Sequence, residues 1–419
     1  MTEKRYPQVR PLHVNRGGEI GEAEIVGRER ELKSLVRTLE SQSVLVAAER
    51  RIGKTTLCKQ AQRQLSGESL ALYVDIENVN STGELAATLV KMVGPHLHLS
   101  KRWGQKTSAL YRRMVGMKID LPKVVGGGGF TLPPGEQKQW KEWIRDTIDD
   151  LLTAQVESKQ AKKLVCLMLD EFPIALEKIR KAEGDSVAMD VLDLFRSLRT
   201  TPGTHLRFVF RGSIGIHHIV QRLQKQGYAN DPMNDVFPLI VKALRHEDAQ
   251  ELALGLLLGE GISSPDYESA AKHIAEESSR VPFYIHHIVG DLRDAELEAT
   301  EETIRQTIRN SIESPTDPWK LRNYKTRLER HFPENYPVAF ALLDALSVHS
   351  QPSTFDDLCN LVRHKVTDAN ETIIGETLDL LEQDFYVERD GQSQTYHFLR
   401  PLLARAWRHI QHLPLLEEK

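Results

Sequence analysis

Val44-Leu45-Val46-Ala47-Ala48-Glu49-Arg50-Arg51-Ile52-Gly53-Lys54-Thr55-Thr56 is the stretch on which the fold turns. Four apolar residues without alternation run into a loop, and a helix-compatible segment, Thr55–Leu65, follows. A strand buried on both faces has that texture, because both sides of its pleat must be apolar. The loop matches G-x-x-x-x-G-K-[ST] with Ala48 at the first glycine position, which an alanine can fill if no positive φ is needed there. Gly53 stands where the backbone must curl without a Cβ in the way. The loop amides and the start of the Thr55 helix then point at one spot, a cradle for phosphate reinforced by the helix's partial positive charge.

In such a cradle Lys54 bridges β- and γ-phosphates and Thr55 Oγ ligates Mg²⁺. The pattern therefore predicts a site for ATP and Mg²⁺ built from Ala48, Arg50, Arg51, Ile52, Gly53, Lys54, Thr55 and Thr56. Arg50 and Arg51 leave two readings open: contacts to phosphate or to an acidic neighbour, or exposed loop arginines.

Three further apolar runs lie downstream. Leu70–Val74 ends at Asp75, Leu164–Leu169 at Asp170-Glu171, and Leu206–Phe210 at Arg211-Gly212-Ser213. Separated by helical segments, they predict an α/β domain with a parallel P-loop sheet whose active edge lies where the strands end. Asp170 is placed to hold Mg²⁺, and Glu171 to orient and deprotonate an attacking water. Ser213 is a candidate γ-phosphate sensor, with Arg211 as the alternative. The plainer reading of Ser213 is a helix N-cap at a turn.

Length and composition bound the rest. At 419 residues the chain has room for about two to four domains. With 40% apolar and 27% charged residues it has a soluble, globular composition. No apolar run approaches the roughly 18 residues that span a bilayer, and Met1–Val9 lacks the apolar core of a secretory signal. A cytoplasmic protein without a membrane partner is expected. Cys58, Cys166 and Cys359 are too far apart for a zinc pair and read as buried thiols. His217-His218 and His286-His287 lack carboxylates at ligand spacing and read as core or surface histidines.

Texture divides the chain into a lead-in over residues 1–24, an α/β domain over 25–235, a helical lid over 236–330 and a last domain over 331–419. Within the α/β domain, residues 81–163 form an insertion-rich segment whose middle, Pro122–Gly135, reads as a loop or hairpin tip. Strands are expected to stop after Asp235. In the last domain, helices over Val338–Val348, Thr354–Arg363 and Glu371–Asp384 precede two alternating strands around Asp390-Gly391. That order outlines a winged helix-turn-helix.

Taken in order, Val26-Gly27-Arg28-Glu29, Arg50-Arg51-x-Gly53-Lys54-Thr55, Asp170-Glu171-Phe172-Pro173 and Gly212-Ser213-Ile214-Gly215 resemble the archaeal-type ATPases. These are P-loop proteins of the STAND division, related to AAA+ ATPases. The tail Phe398-Leu399-Arg400-Pro401-Leu402-Leu403-Ala404-Arg405-Ala406-Trp407 is similar to that family's closing segment. The resemblance implies an ATP hydrolase, slow or partner-activated, that works as a switch on assembly or on a protein partner. It also implies nucleotide contacts from Val26 and Gly27, and from Pro282 in Arg280-Val281-Pro282-Phe283, where the family's lid usually carries Gly-x-Pro.

A DNA-associated ATPase resembling origin-recognition or helicase-loader proteins is the alternative. Against it stands charge. Pro337–Lys419 carries thirteen Asp/Glu and seven Lys/Arg, a net of −6, and Glu371–Asp384 holds five acids and no Lys or Arg. Such a helix repels a duplex, so DNA is the disfavoured partner.

Overall fold

The computed structural model describes residues 9–414 apart from 19, 98–138, 158–163, 213–214, 333–334 and 350. The chain forms two compact units. The first comprises Glu29–Ala47 and Lys54–Val241; the second comprises Ala48–Gly53, Lys242–Lys419 and the N-terminal residues through Arg28.

The first unit runs α1 (Glu29–Leu39), β1 (Val44–Ala47), α2 (Lys54–Leu65), β2 (Leu70–Asp75), α3 (Thr82–Val93), α4 (Trp140–Glu157), β3 (Val165–Asp170), α5 (Phe172–Glu183), α6 (Asp185–Thr200), β4 (Leu206–Arg211), α7 (His217–Lys225) and β5 (Phe237–Ile240). Its five strands are parallel in the order β2-β3-β4-β1-β5. Every residue of β3 is buried, as a strand covered on both faces requires. One face packs an aromatic cluster, with Phe172 4.8 Å from Phe210 and Phe195 5.1 Å from Phe208 between ring centroids. Phe172 begins α5, so this packing fixes the turn that leaves β3.

The strands do not stop at Asp235. β5 pairs in parallel with β1, Val44 opposite Phe237, and Val241 N donates to Ala47 O at 2.9 Å. Val236–Val241 has no polar residue, so it is Pro238 within the run that speaks against a strand, and only Leu239 of the strand's four residues is buried. Pro238 is tolerated because one side of an edge strand needs no donor. The expected loop at Pro122–Gly135 lies outside the described residues.

The second unit contains α8 (His246–Gly259), α9 (Tyr267–Glu277), α10 (Pro282–Asp294), α11 (Glu301–Glu313) and α12 (Asn323–His331). Then come α13 (Tyr336–Val348), β6 (Ser353–Thr354), α14 (Phe355–Lys365), α15 (Glu371–Gln383), β7 (Val387–Arg389), β8 (Thr395–Phe398) and α16 (Pro401–Gln411). The last three strands form an antiparallel sheet, β6-β8-β7. Helix starts follow local chemistry: Thr300 and Thr354 each make a reciprocal capping box at α11 and α14. Among the described residues no helix is long and apolar enough to cross a membrane. The three cysteines are free and buried.

The N-terminal lead-in is pinned to the helices. Leu12 N donates to Gly255 O at 2.8 Å, Val14 N to Glu260 Oε1 at 2.6 Å and Asn15 N to His286 Nδ1 at 3.2 Å. Arg16 pairs with Asp291 and Asp294, each at 2.8 Å. Gly259 makes room for it, since a Cβ there would lie 2.0 Å from Leu12 O.

Burial lowers His286 and His287 from 6.5 to about 4. Between those values the unfolded chain takes protons that the folded chain refuses, so stability falls as pH drops from about 6.5 to about 4. Urea unfolding should show that loss, with a slope of at most about 1.4 kcal/mol per pH unit for each histidine. His286→Asn should flatten it; an unaltered slope in both His286→Asn and His287→Asn would show that other groups set the acid limit.

Candidate nucleotide site

The C-terminal ends of β2, β3 and β4 bring three polar side chains onto one face of the first unit's sheet. Tyr73 lies opposite Met168 and Met168 opposite Val209, so Tyr73, Asp170 and Arg211 share side-chain parity. Both the Tyr73 hydroxyl and Arg211 NH1 donate to Asp170 Oδ2. Arg211 NH1 also lies 3.3 Å from the Tyr73 hydroxyl, and its NH2 is 3.7 Å from Glu171 Oε1. Asp170 is 4% exposed and Arg211 8%, which makes this a buried ion pair. Burial lowers the Arg211 pKa and raises Tyr73 to about 12, so the phenol keeps the proton it donates.

Glu171 follows in the left-handed region, φ 54°, and caps α5. Its amide donates to Asp170 Oδ1 at 2.8 Å, while its carbonyl accepts from Ile174 and Ala175. A non-glycine residue in that conformation costs roughly 1–2 kcal/mol, and such strain gathers at functional turns. Lys54 opens α2 and is 4% exposed, with Thr55 and Thr56 half-buried behind it. Cys58 on α2 lies in the field of Arg211 and Lys54, and burial raises its thiol to about 11, so it stays uncharged. Ser213 lies outside the described residues.

The loop Ala48–Gly53 belongs to the second unit and is held there by side chains. Ala48 has no positive φ, which is why alanine serves in place of glycine. Gly53 at φ 98° and Arg51 at φ 70° carry the curl. Arg28 donates from NH2 to Ile52 O at 2.7 Å and from NH1 to Lys242 O at 2.9 Å. Gly27, at φ 70°, is indispensable to that approach, since a Cβ would sit 2.5 Å from Asp248 Cβ. Val26, just before it, is half-buried. Arg50 is exposed, whereas the Arg51 guanidinium stacks 3.7 Å from the Phe283 ring centre. Pro282 begins α10 and so sets Phe283 beneath Arg51.

Glu49 is the most consequential loop residue that sequence reasoning passed over. It is buried, and Arg400 donates to its Oε1 from Nε at 2.9 Å and from NH2 at 2.7 Å. Arg400 sits at the junction of β8 and α16. Arg28, Tyr73 and Arg400 were also passed over as site residues. Tyr73 had one signal, a hydroxyl inside an apolar strand at the same parity as the strand-end acids.

The donor set suits a hard divalent cation. A threonine hydroxyl in the first turn of a helix and a carboxylate more than nine-tenths buried are oxygen ligands of the kind Mg²⁺ takes. Thr55 and Asp170 would hold it.

Such a sheet, with a G-K-T loop leaving β1 and an Asp-Glu pair ending the buried β3, defines a P-loop ATPase fold. Among solved structures the chain is similar to the Walker-type ATPase of Pyrococcus abyssi, with TM-score 0.61 and 14% identity over 95% of this chain and 98% of that one. It is also similar to the ORC2 protein of Aeropyrum pernix in its ADPNP–ADP complexes, with TM-score 0.52 and 12% identity over 92% and 93%. No protein-family model and no curated protein matches the sequence.

Lys54→Ala removes the cation at the helix start. It should weaken ATP binding at least tenfold, about 1.4 kcal/mol or more, with circular dichroism unchanged. Equal calorimetric affinity in both proteins would displace the site from this loop.

Proposed function

We propose that the chain binds and hydrolyses Mg²⁺·ATP as a switch, with its C-terminal helices and hairpin, read as a winged helix-turn-helix, answering the nucleotide state. The Arg400–Glu49 pair carries this reading. A phosphate-binding loop whose own carboxylate is held by the entrance to α16 cannot rearrange around a nucleotide without acting on that helix. The pair is buried, and removing one partner of such a pair typically costs about 3–5 kcal/mol, so the contact holds loop and helix start firmly together.

The roles follow from position. Lys54 and the amides at the start of α2 hold the β- and γ-phosphates. Mg²⁺, held by Thr55 and Asp170, would neutralise charge on those phosphates. Glu171 takes the proton from the attacking water, from its place at the turn where β3 gives way to α5. Arg211 is the candidate sensor among the described residues. A protein partner or another copy of the chain is the expected listener.

Glu171→Gln should retain ATP through desalting while phosphate release falls 10²–10⁴-fold. In that trapped state, hydrogen exchange over residues 387–411 should differ from the nucleotide-free protein, and Arg400→Ala should erase the difference. ATP bound with exchange unchanged would remove the switch and leave an ATPase alone.

A DNA-associated ATPase is the second reading, favoured by the fold shared with an archaeal ORC2 protein and by the three-helix-and-hairpin order. Against it, α15 carries acids and no Lys or Arg, with Glu371 and Asp379 exposed. The full-length chain should show no sub-micromolar, salt-sensitive anisotropy change with short duplexes. Finding one would put the DNA reading first.

A further inference from the structure

Asp170, the carboxylate assigned to the metal, is already engaged on one oxygen by two donors from two different strands. Arg211 supplies a full positive charge to Oδ2, and the Tyr73 hydroxyl donates to that same atom. The Glu171 amide takes Oδ1. A carboxylate 4% exposed has to be neutralised, and here the guanidinium performs the task that a divalent cation would perform in the loaded site. Arg211 and the metal therefore compete for one charge.

Tyr73 differs from Arg211 in kind. It carries no charge, it is half-buried on β2, and its hydroxyl fixes which way the carboxylate plane faces. Groups that orient a ligand carboxylate from behind strengthen metal binding, and removing them typically weakens it 10–100-fold. Resting on the Mg²⁺·ATP reading above, we infer that Tyr73 is a positioning residue for the metal ligand Asp170, and that Arg211 is a displaceable surrogate cation which the metal must release. Release turns Arg211 free at the strand end, beside Glu171, only when the metal has arrived. Arrival of Mg²⁺ is thereby coupled to arming of the sensor.

The two residues predict opposite shifts in one measurement: the Mg²⁺ concentration at which a fluorescent ATP analogue reaches half-maximal binding to the full chain. Tyr73→Phe should raise that midpoint about tenfold. Arg211→Met should lower it at least threefold by removing the competitor. In EDTA Tyr73→Phe should bind the analogue within about twofold of wild type, since the lost hydroxyl meets Asp170 and reaches the nucleotide only through the metal. Thermal unfolding checks that each variant is folded, and Arg211→Lys, which keeps the charge, should restore the wild-type midpoint if Arg211→Met proves unstable.

A merely structural cluster would move both midpoints the same way, or neither, and either result overturns the inference while wild-type Mg²⁺·ATP binding stands. Wild-type protein that binds no nucleotide at all would fell the site reading itself, and this inference with it.

Discussion

A carboxylate at the end of a fully buried strand is the constraint around which the first unit is arranged. Asp170 cannot be left charged and alone, because an isolated ion in a low-dielectric interior costs several kcal/mol even after relaxation. The strand order answers it. β4 lies between β3 and β1, so the residue ending β4 arrives beside the residue ending β3. Arginine at position 211 is the outcome, with Tyr73 from the other neighbour. Sheet topology and site chemistry are thus one problem with one solution.

The loop Ala48–Gly53 poses the complementary difficulty. Its curl demands left-handed backbone at Arg51 and Gly53, a conformation that would relax unless held. Arg28 grips the carbonyl of Ile52, Arg51 stacks on Phe283, and Arg400 takes Glu49. These anchors come from the N-terminal segment, from α10 and from the start of α16. The loop's shape therefore depends on residues spread over almost the whole chain.

That spread explains what could be read from the amino-acid sequence and what could not. The runs 44–47, 70–74, 164–169 and 206–210 were legible as nearly continuous apolar strings, the texture that burial on both faces imposes most fully on β3. β5 was not, since the proline inside the apolar run Val236–Val241 argues against a strand that only its edge position makes tolerable. Among the candidate site residues, Lys54, Thr55, Asp170 and Glu171 stand at fixed distances from strand ends, so their places in the fold could be found by counting. Arg400 and Glu49 are 351 positions apart, and no periodicity links them. Arg51 left two readings, phosphate or acid contact against free exposure, and its stacking on Phe283, 232 positions away, was beyond either. Arg28 stood inside a quoted motif, but its partner Ile52 O is a backbone atom that no residue identity reveals.

The pinned N-terminal segment has a consequence in time. Val14 and Asn15 find their partners 246 and 271 positions later. On a ribosome adding about 5–20 residues per second, those partners emerge more than about 10 s after the segment does. Its binding groove, shaped around Gly255, Gly259 and Gly290, exists only once α8 and α10 have formed. The segment is therefore made well before the groove that seats it, and for that interval its apolar Leu12 is available to whatever chaperone or neighbouring nascent chain meets it.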